Sequence, residues 1–537
     1  MTTSLTPPRG KAFTRLGEAA VTLCMLGLCA YAVISGAQQS QLDITAGTTV
    51  SEITQVLGRP TNNSISVSVL SPNDMECYAE YGTSPGNYTG KTSITSAKAR
   101  IPVELAIEKL QPNMRYYYRL RSRQGESSSF TTGKEYAFQT QRPPGSTFVF
   151  GVQADSHPER LNRMFDPDLY AINMANVRQG RPDFYITLGD DFSIDTLSGM
   201  GGLTPQRVAQ VYINQRPFLG VDGASTPIFT VNGNHEQAAK YLLNGTTNSP
   251  AVWAGKSRNT YYPQPTIGDG KFYTGDMEPV EHIGMLNDYY TWTWGDALFI
   301  SLDPYWHSDK VVDNELILGT PDAATADATG MTGMEAAATK QKGEGMAAAG
   351  GGKGAKDIWD VTHGEAQYRW LEKTLRESKA KYKFIFAHHV LGTGRGGTDM
   401  ADLGEWGGKN QQGVWEFDKK RPGWDLPIHQ LMVKYNVSAF FQGHDHLFVR
   451  QVKDGVIYQE VQTPADSNYG DGGNSGSYKT GDHLNAAGHL RVTVSPEVAR
   501  VDYVRAWMPK DLNDQRKQGE VAFSYEIKPA KTVTATK

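Results

Sequence analysis

The sequence predicts an α/β (α+β) protein in two parts, an all-β sandwich followed by stacked α/β layers. Three observations carry this: short alternating strands up to residue 141, a stiff Pro143-Pro144-Gly145 break, and hydrophobic strands alternating with amphipathic helices beyond it. The 537 residues are 39% hydrophobic and 10% aromatic, enough for a large core and more than one domain. A formal net charge of −4 gives no electrostatic reason to expect nucleic acid as a partner, so small anionic substrates would need metals or local cations.

At the N-terminus, Arg9, Lys11 and Arg15 precede an apolar run from Ala19 to Ile34 and the small residues Ser35-Gly36-Ala37. Residues 1–37 therefore read as a signal peptide cleaved after Ala37 or as an uncleaved membrane anchor through residues 19–34, with a buried helix of the folded domain as a third reading. In the first two the protein is exported, whether secreted, periplasmic or anchored on the extracytoplasmic side of a membrane. Cys24 and Cys29 lie in that run, leaving Cys77 alone in the mature part, so no internal disulfide forms there. Leu28 stands where a lipoprotein signal wants a small residue, and both signal cysteines read as filler.

The stretches Ser64–Val69, Cys77–Gly82, Tyr116–Leu120 and Glu135–Thr140 are short and alternating, which predicts a β-sandwich over residues 45–142. Beyond the break, Thr147–Val152 and Phe184–Leu188 read as strands and Asp168–Arg178 as a helix between them. Pro227–Val231 is a third strand. Tyr290–Trp294 and Ala297–Leu302, separated by Gly295-Asp296, form a hairpin pattern. Residues 319–356 are rich in Ala, Gly, Lys, Thr and Met and lack bulky branched or aromatic side chains; they read as a flexible surface insertion, with an Ala-rich helix near Met334–Ala338 as the alternative. The layered pattern resumes with the amphipathic stretch Gly364–Leu375 and the strands Phe384–Ala387 and Val437–Phe441, and reaches residue 505, with 506–537 as a C-terminal extension.

Five short motifs each end or follow one of these strands: Asp155-Ser156-His157, Gly189-Asp190-Asp191, Gly233-Asn234-His235-Glu236, His388-His389 and Gly443-His444-Asp445-His446. Each alone is weak, since such residues are common in polar loops and turns. Together they offer carboxylate, amide and imidazole ligands without sulfur, which suits divalent or trivalent first-row metals. Seven ligands are too many for one such ion. With one carboxylate shared, they match a two-metal site of the kind that holds cations about 3.5–4 Å apart across an in-line displacement at phosphorus.

The order Asp-x-His, Gly-Asp, Gly-Asn-His-Glu, His, Gly-His-x-His resembles that of the calcineurin-like metallophosphoesterase superfamily, over residues 146–505. The resemblance implies a four-layer β-sandwich flanked by helices, with Asp155, His157 and His446 on one metal, Asn234, His388 and His444 on the other, and Asp190 bridging. His389 is the fallback for His388. His235 would not be a ligand but the group that stabilises the transferring phosphoryl and protonates the leaving oxygen. Glu236 could orient it or be a solvated carboxylate. Arg395, in Gly394-Arg395-Gly396-Gly397, either reaches a substrate phosphate or is an exposed loop arginine.

The phrase Leu110-Gln111-Pro112-Asn113-Met114-Arg115-Tyr116-Tyr117-Tyr118-Arg119 is similar to a corner of fibronectin-type-III-like domains, including those that precede the catalytic domain of purple acid phosphatases. One departure separates the chain from that branch. Purple acid phosphatases place a metal-binding Tyr in Gly-Asp-x-x-Tyr and start with Asp-x-Gly, where this chain has Ser193 and His157. No tyrosinate-to-iron absorption is expected, and Fe, Mn and Zn all remain open.

The resemblance implies an acid-phosphatase-like phosphomonoesterase acting on a small phosphorylated substrate, with metal-bound hydroxide as nucleophile and His235 as acid, and the N-terminal run adds export. A phosphodiesterase on the same site, and a degenerate protein that binds metal or phosphate without turnover, are the other readings.

Overall fold

The computed structural model describes residues 52–530, apart from 126–128, 201, 269–271, 311, 313–356 and 393–394. The N-terminal segment 1–37 and the insertion 319–356 lie outside the described residues. Among the described residues, no helix is long and apolar enough to cross a membrane.

Two antiparallel sheets come first. One orders Thr54–Gly58, Ser64–Leu70 and Val103–Glu108; the other orders Gly90–Lys91, Met75–Gly82, Arg115–Arg123 and Thr131–Gln139. Alternation along the strands sends Ile65, Val67, Val69, Cys77, Leu105, Ile107, Tyr118 and Phe138 into one shared core. At the corner before the Arg115 strand, the Tyr116 hydroxyl accepts the Gln111 amide at 2.9 Å.

This sandwich is fused to the rest of the chain by buried polar contacts. Arg216, on the helix Pro205–Gly223, is fully buried and donates to the Ser68 carbonyl at 2.9 Å, the Ser68 hydroxyl at 3.2 Å, the Thr54 hydroxyl at 3.0 Å and the Tyr261 carbonyl. Burial pushes its guanidinium down to about 10, still charged at neutral pH. Replacing Arg216 with methionine is expected to lower stability by roughly 2–6 kcal/mol, because two buried carbonyls lose their donor at about 1–3 kcal/mol each. Chemical denaturation reads this directly, and an unchanged unfolding midpoint would show that the seam does not depend on it.

The remaining chain forms two large sheets. The first orders Ile228–Thr230, Phe184–Thr187, Phe148–Gln153, Gly488–Val494, Ala499–Arg505 and Val521–Ile527, its first three strands parallel. The second has a parallel centre of Ala297–Ser301, Tyr382–Phe386, Ala439–Gln442 and Val456–Glu460, extended by antiparallel strands. They share one core, in which Phe148, Phe150, Val152, Phe184 and Ile186 meet Trp292, Phe299, Phe384, Phe386 and Phe441. Alternation sends Tyr185 the other way, to a second core with Tyr170 and Met174 of the helix Pro167–Gln179 and Tyr212 and Leu219 of the helix Pro205–Gly223. The helices Gly364–Glu377 and Ile428–Lys434 bury Tyr368, Leu371, Leu431 and Met432 against Ile300, Ile385 and Phe440 of the other sheet.

The residues after 505, read from the sequence as an extension, belong to this architecture. Val521–Ile527 pairs antiparallel with Ala499–Arg505 and buries Tyr525 and Ile527 in the core between the sheets. The hairpin forms as expected, with Trp294 opposite Ala297.

Candidate metal centre

Parallel pairing sets the ends of the strands level. Thr187 lies beside both Gln153 and Thr230, and Phe386 beside Phe441. The loops that follow carry Asp155, Asp190, Asn234, His388 and His444, so side chains far apart in sequence emerge along one edge of both sheets. Reaching it distorts the backbone. Asp155, His157, Asp190, His444 and His446 all have positive φ, between 45° and 79°, a left-handed region uncommon for non-glycine residues. Gly233 is needed for a different reason from the sharp turn that its place in the sequence suggests: a Cβ there would collide with the Asp190 carboxylate and amide.

All seven expected ligand residues are buried and converge in two groups. In one, His157 Nε2 lies 3.8 Å from Asp155 Oδ1 and 3.2 Å from His446 Nε2, which is itself 3.5 Å from Asp155 Oδ1. In the other, His388 Nε2 is 3.1 Å from Asp190 Oδ2 and 3.0 Å from Asn234 Oδ1, and His444 Nδ1 is 3.1 Å from the same amide oxygen. Asp190 Oδ2 reaches the first group too, 3.7 Å from His157 Nε2. His388, rather than His389, enters the cluster; the His389 ring packs against His444 at 5.1 Å.

The hydrogen bonds behind the rings decide what the facing atoms are. His388 Nδ1 lies 2.9 Å from the Leu188 carbonyl, which can only accept, so this nitrogen carries a proton. His157 Nδ1 lies 2.8 Å from Glu159 Oε1 and 3.4 Å from Ser193 Oγ, likewise the donor to the carboxylate. In the neutral rings the Nε2 lone pairs therefore point at carboxylate and amide oxygens, acceptors facing acceptors. Among the described residues, Asp155 Oδ1 is buried and makes no well-formed hydrogen bond. Such a nest needs a proton or a cation at its centre, and the donor set fits two cations that share Asp190. Burial, reinforced by Arg160 at His157 and Arg395 at His444, holds these two imidazoles well below their usual range, and burial also lowers His446; neutral rings are the form that ligates. His388 is pushed up to about 10, burial opposing but Asp190 prevailing, so a bound cation would displace that proton.

His235 borders both groups, and its ligand atom falls with those of His157 and Asp190 in a third set close enough to hold a cation. Its Nδ1 lies 2.9 Å from Asp195 Oδ2, and its Nε2 points to the centre, 3.9 Å from Asp190 Oδ2. Burial disfavours its charge, but the Asp195 and Asp190 carboxylates outweigh burial and hold the imidazolium proton well above the usual range. Arg160 Nη2 stands 3.2 Å from the same Nε2 and donates to it when that nitrogen is unprotonated, so a guanidinium and an imidazole converge on one point above Asp190.

Two sequence expectations are corrected here. Glu236 neither orients His235 nor faces solvent: it is buried and accepts the amides of Asp190, Asp191, Phe192 and Gly233 at 2.6–3.1 Å, pinning the Gly-Asp loop to the Gly-Asn-His loop. Arg395 is half-buried and braces the Gly-His-x-His loop, donating to Asp445 Oδ1 at 2.6 Å and the His444 carbonyl at 2.9 Å. Ser193, at the position where a tyrosine ligand would stand, lies behind His157 and supports its ring. Asp195, Arg160 and Glu159 were missed by sequence reasoning, because no fixed spacing ties them to the motifs they serve.

Two facing mixed sheets with this edge of loops make a fold that other solved structures share. Among solved structures it is shared with a purple acid phosphatase isolated from yellow lupin (Lupinus luteus) seeds, with a TM-score of 0.52 and 15% identity over 89% of this chain and 74% of that one. PhoD aligns with a TM-score of 0.49 and 14% identity, covering 84% of this chain and 86% of its own. No protein-family model and no curated protein matches the chain.

Proposed function

We propose that the protein is an exported metal-dependent phosphoric ester hydrolase, a phosphomonoesterase that holds two cations and uses His235 as its acid. The observation that carries this is the pair of acceptor nests joined at Asp190, overlooked by His235 and Arg160. In this reading Asp155, His157 and His446 hold one cation, Asn234, His388 and His444 the other, and Asp190 both. Bound there, the cations would supply an acidified water and neutralise phosphoryl oxygens. Arg160 binds a phosphoryl oxygen through Nη2, and His235, its ring fixed by Asp195 at Nδ1, gives the Nε2 proton to the departing alcohol. Arg160 favours monoesters, whose extra negative charge it meets, over diesters.

The fibronectin-III-like reading of residues 45–142 is supported by the two-sheet core and the Tyr116 corner, and the four-layer reading by helices buried on the outer faces of both sheets. We extend the catalytic unit from residue 146 to the strand ending at Ile527. Export rests on residues 1–37 alone.

A panel of aryl phosphate mono-, di- and triesters, with elemental analysis of the exported protein, tests the assignment; a preparation with two bound cations and no turnover of any of them would leave only a metal-binding role. Arg160→Ala is expected to raise KM for a monoester by roughly 10–100-fold, the equivalent of one charge-assisted hydrogen bond, and to change diester KM little. Equal losses on both ester classes would make Arg160 a support for the loop and not a contact to substrate.

A further inference from the structure

A crevice of about 220 Å³ opens at the seam between the N-terminal sandwich and the helical face, outside the metal centre. Arg115, Arg178 and Arg181 line it together with Asp222, Thr226 and Glu135, whose Oε2 already accepts the Gly86 amide at 2.6 Å and the Tyr88 hydroxyl at 2.5 Å. Asp222, in the last turn of the helix Pro205–Gly223, is 1% exposed, and among the described residues neither carboxylate oxygen makes a well-formed hydrogen bond, although the Thr226 side chain is near enough to lower its pKa through one. Among the described residues none of the three arginines, all exposed, is in an ion pair, and Arg178 is near enough for its charge to act on Asp222.

This combination selects its ligand. A basic rim alone accepts any small oxyanion, but a buried carboxylate repels one that is fully ionised and needs a donor. Hydrogen phosphate, or the monoanion of a phosphate monoester, carries both the charge for the arginines and an O–H for the acid; sulfate at neutral pH carries only the charge. We propose that the crevice is a second, non-catalytic site for a protonated phosphate group, its charged oxygens held by Arg115, Arg178 and Arg181 and its O–H donated to Asp222. Burial pushes Asp222 up to about 7, so it is an acceptor for the ligand O–H above that pH, where hydrogen phosphate still carries one. The site would fasten the two halves of the molecule where the Tyr118 hydroxyl already donates to the Ala224 carbonyl at 2.7 Å. A role in sensing phosphate released at the metal centre rests on the function proposed above; the binding itself does not.

Calorimetric titration of the metal-loaded full chain with inorganic phosphate, sulfate and the unhydrolysable monoester mimic phenylphosphonate tests this. Wild type should take up two phosphates, Asp190→Ala one, in the crevice, and the exposed double variant Arg178→Gln/Arg181→Gln one, at the metals. In Asp190→Ala, sulfate should bind at least about tenfold more weakly than phosphate, one hydrogen bond's worth, and adding Asp222→Asn should abolish that preference. Saturation by phosphate but not phenylphosphonate assigns the free anion, and the reverse assigns an ester. Two equivalents retained in the arginine variant, or no phosphate bound by Asp190→Ala, would overturn the site. If Asp222→Asn fails to fold, the arginine variant still decides. Full activity in Asp190→Ala would instead sink the catalytic reading and leave the crevice to be judged by the arginine variant alone.

Discussion

Asp190→Ala is expected to strip both cations and to lower turnover by more than about 10³-fold, since several kcal/mol of charge stabilisation disappear with them. Asp190 is the side chain that belongs to both nests, with Oδ2 at 3.1 Å from His388 Nε2 and 3.7 Å from His157 Nε2. Its other oxygen accepts the His235 amide at 3.0 Å, so the truncation also loosens the loop that carries the acid. Asp190→Asn separates the two effects. It keeps the shape and an oxygen for that amide while removing the charge, and should lose metal while leaving thermal stability closer to wild type. Elemental analysis beside turnover of an aryl phosphate gives the answer. Loss of one cation with the other retained would mean that Asp190 does not bridge, and full activity with unchanged metal would remove the binuclear reading.

Much of this centre was legible because each parallel strand is an apolar run that ends in a chemically unusual residue. Asp155, Asp190, Asn234, His388 and His444 could be proposed from such endings, and the level register of the strands is what brings them together. What could not be read depends on the return path of loops. Asp195 is forty residues before His235 and meets it only because the loop after the Phe184 strand folds back across the site. Glu236 looked solvated because a carboxylate in a loop usually is; four converging amides make burial favourable here. The strand Val521–Ile527 shows alternation, Val521, Phe523, Tyr525 and Ile527, but it follows a polar stretch and lies at a sheet edge, where only one end is covered.

His235→Ala is expected to retain both cations and to lower turnover by roughly 10²–10⁴-fold, the range for losing a positioned general acid. The neighbouring side chains point differently: Asn234 Oδ1 faces His388 and His444, whereas His235 Nδ1 is held by Asp195, leaving Nε2 above Asp190 and beside Arg160. A proton given at Nε2 matters most when the leaving oxygen is basic. The loss should therefore be small for nitrophenyl esters, which depart with little need of a proton, and large for alkyl esters. Asp195→Asn should move in the same direction by a smaller factor, because an amide can still position the ring but no longer favours its charged form. Turnover measured against leaving-group pKa in wild type and both variants tests the assignment. A steeper dependence in His235→Ala, with an intermediate slope in Asp195→Asn, is the expected result. Parallel slopes would leave His235 only an electrostatic role on the phosphoryl oxygens, and loss of metal from His235→Ala would place the imidazole among the ligands instead.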